Sequence, residues 1–186
     1  MKKNVLVLGL FLCLALTQVA TPLSMIVKRE LTLRNGEQFR FHTAPIDPYD
    51  AFRGRYVAVG VEQDNAPVPA GLKLENGQKV YAHIEKDNQG FAVISKVTLE
   101  KPKNGTYLTT KVRYVYKGEM FLDMPFDRYY MEEKAAPAAE AIYQKHHGEE
   151  KQDSYVIVRI RSGFAVLEEL YIGGQPVSEI IKRSKL

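Results

Sequence analysis

Few side chains in this sequence are arranged to do chemistry. Most of those that are lie in one passage, Asp47 to Val61, DPYDAFRGRYVAVGV. Asp47 and Asp50 could act as a general acid/base pair or bind a cation, and two arginines, Arg53 and Arg55, follow in the same passage. Asp before Pro is equally a routine turn initiator, and no second acidic cluster of defined spacing accompanies the pair. Ser24 is a candidate nucleophile, but a nucleophile needs a base within hydrogen-bond reach and the sequence identifies none. His146 and His147, with Glu149 and Glu150, carry metal-ligating groups. Adjacent helical positions point about 100° apart, so a solvated helix end suits them better than a metal site. Asn104-Gly105-Thr106 satisfies the N-glycosylation pattern, though Asn-Gly is also a turn. No P-loop, dinucleotide-binding glycine pattern or zinc-type cysteine spacing occurs, so the sequence predicts no catalytic set, no cofactor and no metal.

The elements that would position these residues begin with an apolar run. Lys2 and Lys3 precede Asn4 to Val27, which has no charged residue and stops at Lys28-Arg29-Glu30. About twenty apolar residues span a bilayer core as a helix, so the run is long enough for a membrane anchor. A cleaved signal peptide is the competing reading, but cleavage after Ala20 would put Gln18 at the minus-three position. The anchor reading divides the chain into residues 1–27 in the membrane and 28–186 beyond it. A very short N-terminal tail favours an exported C-terminal domain, periplasmic or extracellular. Cys13, the one cysteine, lies within the run, so the exported part has no disulfide.

Beyond Lys28 the sequence predicts a mainly β fold with one short helix. RELTLRNG reads as a strand ending in an Asn35-Gly36 turn, and EQFRFHTA and YVAVGV follow as strands. APVPAG reads as a break. QKVYAHIEK and GFAVISKVTLEK form a hairpin around DNQG, GTYLTTKVRYVYKG is a further strand, and DSYVIVRIRSGFAVLEELYIGG is a second hairpin turning at Ser162-Gly163. The two hairpins share Gly-Phe-Ala-Val after their turns, at Gly90 and at Gly163. AAPAAEAIYQKHHG predicts a helix near 137–147, with Pro137 in its first turn and Gly148 past its end. In the 47–61 passage Gly54 permits a sharp turn, and Val57, Val59 and Val61 would face the core, with Tyr56 on the other side. The passage is therefore expected to be a structural corner, open to a binding role.

A net charge of +4, without a dense basic stripe interleaved with aromatics, argues against nucleic acid as a partner. The tail IIKRSKL carries Lys182, Arg183 and Lys185, which suit an anionic headgroup, an acidic partner or plain solvation.

Two resemblances bear on function. Ser24-Met25 at the outer end of the apolar segment resembles type I signal peptidases, which would make this a cell-envelope hydrolase using Ser24, or the 47–55 loop as an acid-based alternative. The proline that normally follows, and a lysine-bearing strand, are not found. IDPYDAFRGRYVAVGV more extensively resembles the signature of the GDYXXLXY proteins, with Gly54 and Tyr56 matching, Val59 in place of leucine, Arg55 in place of aspartate and Val61 in place of the final tyrosine. The lead-in with Asp47 and Arg53 is also similar, and DRYYMEE resembles a second family segment through Arg128, Tyr129 and Glu133. The resemblance implies a membrane-anchored, mostly β, extracytoplasmic domain of accessory character, found fused to or encoded beside multi-pass membrane proteins. A multi-pass membrane protein is thus the expected partner, and a non-enzymatic role the expected one.

Overall fold

The computed structural model describes residues 2–44, 56–69, 71–130 and 154–184. The expected helix near 137–147, the histidine pair, and Asp47, Asp50, Arg53, Gly54 and Glu133 lie outside the described residues.

Helix α1 (Lys2–Asn35) contains the whole apolar run and continues past it. Its apolar part is long enough to cross a membrane, with a mean hydropathy of 2.1, and its side chains there are exposed. RELTLRNG is therefore not a strand: Arg29 to Asn35 form the last two turns of α1. Three contacts favour the helix here. Glu30 and Arg34 pair at 2.6 Å one turn apart, Thr32 Oγ1 donates to the Lys28 carbonyl, and the Gly36 amide donates to the Thr32 carbonyl at 2.8 Å. Gly36 ends the helix rather than closing a hairpin. A Cβ there would collide with the Thr32 carbonyl oxygen and come within 3.2 Å of Arg159 Cβ and Ile160 N.

The next residue enters a sheet. β1 (Glu37–Ala44) pairs with β10 (Ser154–Arg161), and β10 with β11 (Phe164–Ile172), both antiparallel. β3 (Gly60–Val61) and β12 (Gln175–Pro176) complete a five-stranded sheet in the order β12-β11-β10-β1-β3. The second sheet has the order β4-β8-β7-β5-β6, built from β4 (Asn65–Pro67), β5 (Lys79–Lys86), β6 (Ala92–Thr98), β7 (Tyr107–Tyr116) and β8 (Glu119–Leu122). β2 (Tyr56–Ala58) and β9 (Arg128–Tyr130) form a separate two-stranded ribbon. Helix α2 (Val177–Ser184) follows β12, so the expected basic tail begins as a helix. The mainly β expectation holds. The departures are β4, which occupies part of the expected break, and the short β8 and β9.

One hydrophobic core joins both sheets. Alternation supplies it: Phe39 and Phe41 from β1, Val156, Val158 and Ile160 from β10, Val80, Ala82 and Ile84 from β5, Leu108 and Val112 from β7, and Met120 and Leu122 from β8 are all buried. Val59 and Val61 are buried too, as the expected core face requires.

The two similar hairpins have equivalent places. β1 pairs with β10 of one hairpin as β7 pairs with β5 of the other. Each hairpin also sends its turn across to the opposite sheet: Arg40 of β1 bridges Phe91, and Leu108 of β7 bridges Gly163, both in parallel sense. The Thr109 amide donates to the Gly163 carbonyl at 2.9 Å. Both turn glycines have φ of +81°, and Ala92 and Ala165 after them are buried. The shared Gly-Phe-Ala-Val thus reflects a shared task, fastening one sheet to the other.

Gly163 has little space. A Cβ there would meet Thr109 Oγ1 and come within 2.6 Å of the Tyr107 ring. Gly118, at the β7–β8 turn with φ of +84°, has open space around it. Gly118→Ala should therefore cost about 1 kcal/mol of backbone strain, and Gly163→Ala about 3 kcal/mol, since it adds overpacking. Urea unfolding of both variants distinguishes them; equal losses would mean that the Gly163 turn does not fasten the sheets.

Candidate functional site

The β2–β9 ribbon brings together two of the segments singled out in the sequence. Tyr56 stands opposite Tyr130, Val57 opposite Tyr129 and Ala58 opposite Arg128. The Val59 amide extends the pairing by donating to the Asp127 carbonyl at 2.8 Å. Tyr56, Arg128 and Tyr129 therefore share one ribbon although about seventy residues separate its strands.

Arg128 lies 3.6 Å from its neighbour Asp127, with a half-exposed side chain. Glu133 and the acids of the 47–50 loop, carboxylates that could also meet Arg128, lie outside the described residues. Ser24 lies on α1 and donates its hydroxyl to the Thr21 carbonyl at 2.7 Å. Among the described residues, no group of three or more His, Cys, Asp or Glu could hold a metal.

Tyr129 leads to a residue that sequence reasoning missed. Its hydroxyl donates to Glu169 Oε1 at 2.5 Å, and the Ser178 hydroxyl of α2 donates to Glu169 Oε2 at 2.5 Å. The Leu170 amide also donates to Oε1. One half-buried carboxylate on β11 thus holds the ribbon on one side and the C-terminal helix on the other. A bulge puts it there. Val158 pairs with Leu167 and Ile157 with Glu169, so Glu168 is the extra residue. Glu168 turns outward to Arg159 at 2.7 Å, and Arg159 also reaches the Gly36 carbonyl at the end of α1.

These elements enclose a cleft of about 320 Å³ beside the end of the apolar run. Arg29, Phe126, Asp127, Arg128, Tyr129 and Glu168 line it, with the first residues of β11. Two guanidinium groups and two carboxylates over an aromatic floor suit a polar or zwitterionic segment of a partner better than an apolar ligand. A second polar cluster lies elsewhere: Arg113 joins Asp64 at 3.2 Å and Asp123 at 3.0 Å, tying β7 to the β3–β4 connection. Burial pushes the Asp64 carboxyl up despite that arginine.

Burial, and then the hydrogen bond and charge of Glu169, push the Tyr129 phenol well above its ordinary 10.0. A phenol whose pKa rises on folding keeps its proton in the folded chain where the unfolded chain has lost it. Its contribution to stability is intact below about pH 10 and declines as pH rises further. Tyr129→Phe should cost about 1–2 kcal/mol at pH 7 and show a shallower alkaline decline than the parent chain. Tyr171 is shifted the same way, mainly by burial, so some slope should remain. Urea unfolding from neutral pH to about pH 11.5 reads both quantities, and parallel slopes would remove Tyr129 from the alkaline transition.

Comparison with curated proteins and with solved structures gives no match. The profile of the family described as GDYXXLXY protein matches residues 18–170, from within the apolar helix to β11. The match takes in both strands of the ribbon, the Glu169 anchor and every residue that lines the cleft. The chain belongs to the GDYXXLXY protein family.

Proposed function

We propose that this chain is a single-pass membrane protein whose β domain lies outside the cytoplasm and serves as an accessory domain, binding a multi-pass membrane protein through the apolar helix and the adjoining cleft. The observation that carries this reading is the continuity of α1. The helix does not stop where its apolar run stops. It continues from Lys28 to Asn35, buries Thr32 and passes straight into β1 through Gly36. An enzyme that only needs to be retained at a membrane is served by a flexible linker. A helix continuous with the sheet instead fixes which face of the domain looks at the bilayer and its neighbours, as a docking subunit requires. The division at residue 27 then marks a change of surroundings within one helix, not a joint.

The cleft supports the same reading by its place. Arg29 stands two residues beyond Val27, so a partner's loop emerging from the membrane would meet the cleft at once. Lys2 and Lys3 before the apolar run favour an inside N-terminus, with the β domain exported.

A C-terminal alkaline phosphatase fusion should be active and the full chain should resist carbonate extraction. An inactive fusion would reverse the orientation, and release by carbonate would end the anchor reading. For the partner, mild-detergent pull-down of the full chain should recover a multi-pass membrane protein at near-stoichiometric yield. Inserting a Gly-Ser linker between Val27 and Lys28 should reduce that recovery about tenfold while leaving the melting temperature unchanged, because the loss is one of orientation. Recovery unaffected by the linker would show that continuity of the helix is irrelevant to docking.

A further inference from the structure

The hairpin β10–β11 lies alongside the end of α1 with its tip toward the apolar run. Lys28, the first residue past that run, places its ammonium 4.2 Å from the centroid of the Phe164 ring at the tip. Gly36, farther along the helix, meets Arg159 and Ile160, which are farther from the tip. The helix rises about 12 Å between those two contacts. The tip, Arg161 to Phe164, is therefore the part of the sheet nearest the apolar segment. Ser162 at that tip shares a surface hollow with Lys101 and Lys103, from the connection between β6 and β7.

We propose that the hairpin tip and the neighbouring 101–103 segment form a cationic footing that rests on anionic phosphate headgroups of the bilayer. This inference rests on the anchor reading above. Lys28, Arg29, Lys101, Lys103 and Arg161 are exposed, and none forms an ion pair with a described residue. The carboxylates nearby are engaged: Glu30 by Arg34, Glu37 by Lys86 and Thr106, Glu168 by Arg159, Asp127 by Arg128. Among the described residues beside this footing, Glu100, next to Lys101, is an acid without an ion pair, against five cations. Long basic side chains place their charge at headgroup level while their stems cover apolar surface. Each such residue near an anionic surface shifts the docked population about fivefold. The attraction fades within about 8 Å at physiological salt, so the approach of the tip to the end of the apolar run is what makes it effective. The footing adjoins the cleft, since Arg29 and Phe164 also line it, while Lys101 and Lys103 line a separate hollow.

The test uses the full-length protein in nanodiscs of phosphatidylcholine alone and with about a third phosphatidylglycerol. Amide hydrogen exchange is followed for residues 100–106 and 161–164. Exchange there should be about tenfold slower in the anionic discs, and the difference should vanish in about 0.5 M salt and in the K101E/K103E/R161E variant. These positions are exposed, so exchange of the β core should be unchanged in that variant. Equal exchange in the two discs, or protection that survives the triple reversal, would overturn the footing while leaving the anchor intact. A chain that carbonate strips from the discs would overturn the anchor reading, and the footing with it.

Discussion

Two hairpin turns reach across the core and fasten each sheet to the other. The backbone of Gly163 lies against β7 with the Tyr107 ring and the Thr109 hydroxyl closing over it, and the turn at Gly90 lies against β1 beneath Arg40. Neither sheet can shift without breaking its own bridge and the reciprocal one. The constraint acts at close range, because a parallel bridge between backbones leaves no space for a side chain at Gly163. Between the two clasps the apolar faces have only each other to meet, and burial of Phe39, Phe41, Leu108 and Leu122 follows from that closure.

The site inherits its geometry from the same hairpin. Because β11 is held at its start by the Gly163 turn, the bulge at Glu168 falls at a fixed height, and one carboxylate turns out while the next turns in. The outward one reaches the end of α1 through Arg159, and the inward one collects Tyr129 and Ser178. Adjacent residues thus tie three separate elements, the apolar N-terminal helix, the β2–β9 ribbon and the C-terminal helix, to a single strand. The cleft is the space left among these ties.

Much of this was legible in the sequence where a period was long enough to read. The uncharged run, the alternation of EQFRFHTA and both long hairpins were assigned from pattern alone. RELTLRNG was misread because Leu31 and Leu33 alternate as a strand would, and because Asn-Gly serves a helix end as well as a hairpin. The preceding turns of helix decided the matter, since continuing a helix avoids the cost of starting another element. β8 and β9, at four and three residues, are too short to carry a period. Glu169 was invisible for a different reason. In LEELYI the two glutamates are chemically identical, and only the bulge decides which one faces inward. Family resemblance singled out Tyr56, Arg128 and Tyr129, but their meeting in one ribbon was not foreseen, because nothing local links two segments so distant in sequence.

Under the anchoring proposed above, the continuity of α1 would make the domain a lever. The uncharged run from Asn4 to Val27 is roughly 36 Å long as a helix, whereas a bilayer core is about 30 Å thick. A span longer than the membrane it crosses accommodates by tilting. A tethered domain would absorb that tilt in its linker. Here the helix continues to Asn35, with Pro22 inside it, and would hand its inclination beyond Pro22 to the sheets, so a change in membrane thickness would change how the β domain leans. Under the proposed anchoring, bilayer thickness would become an input to which face of the domain a neighbour meets.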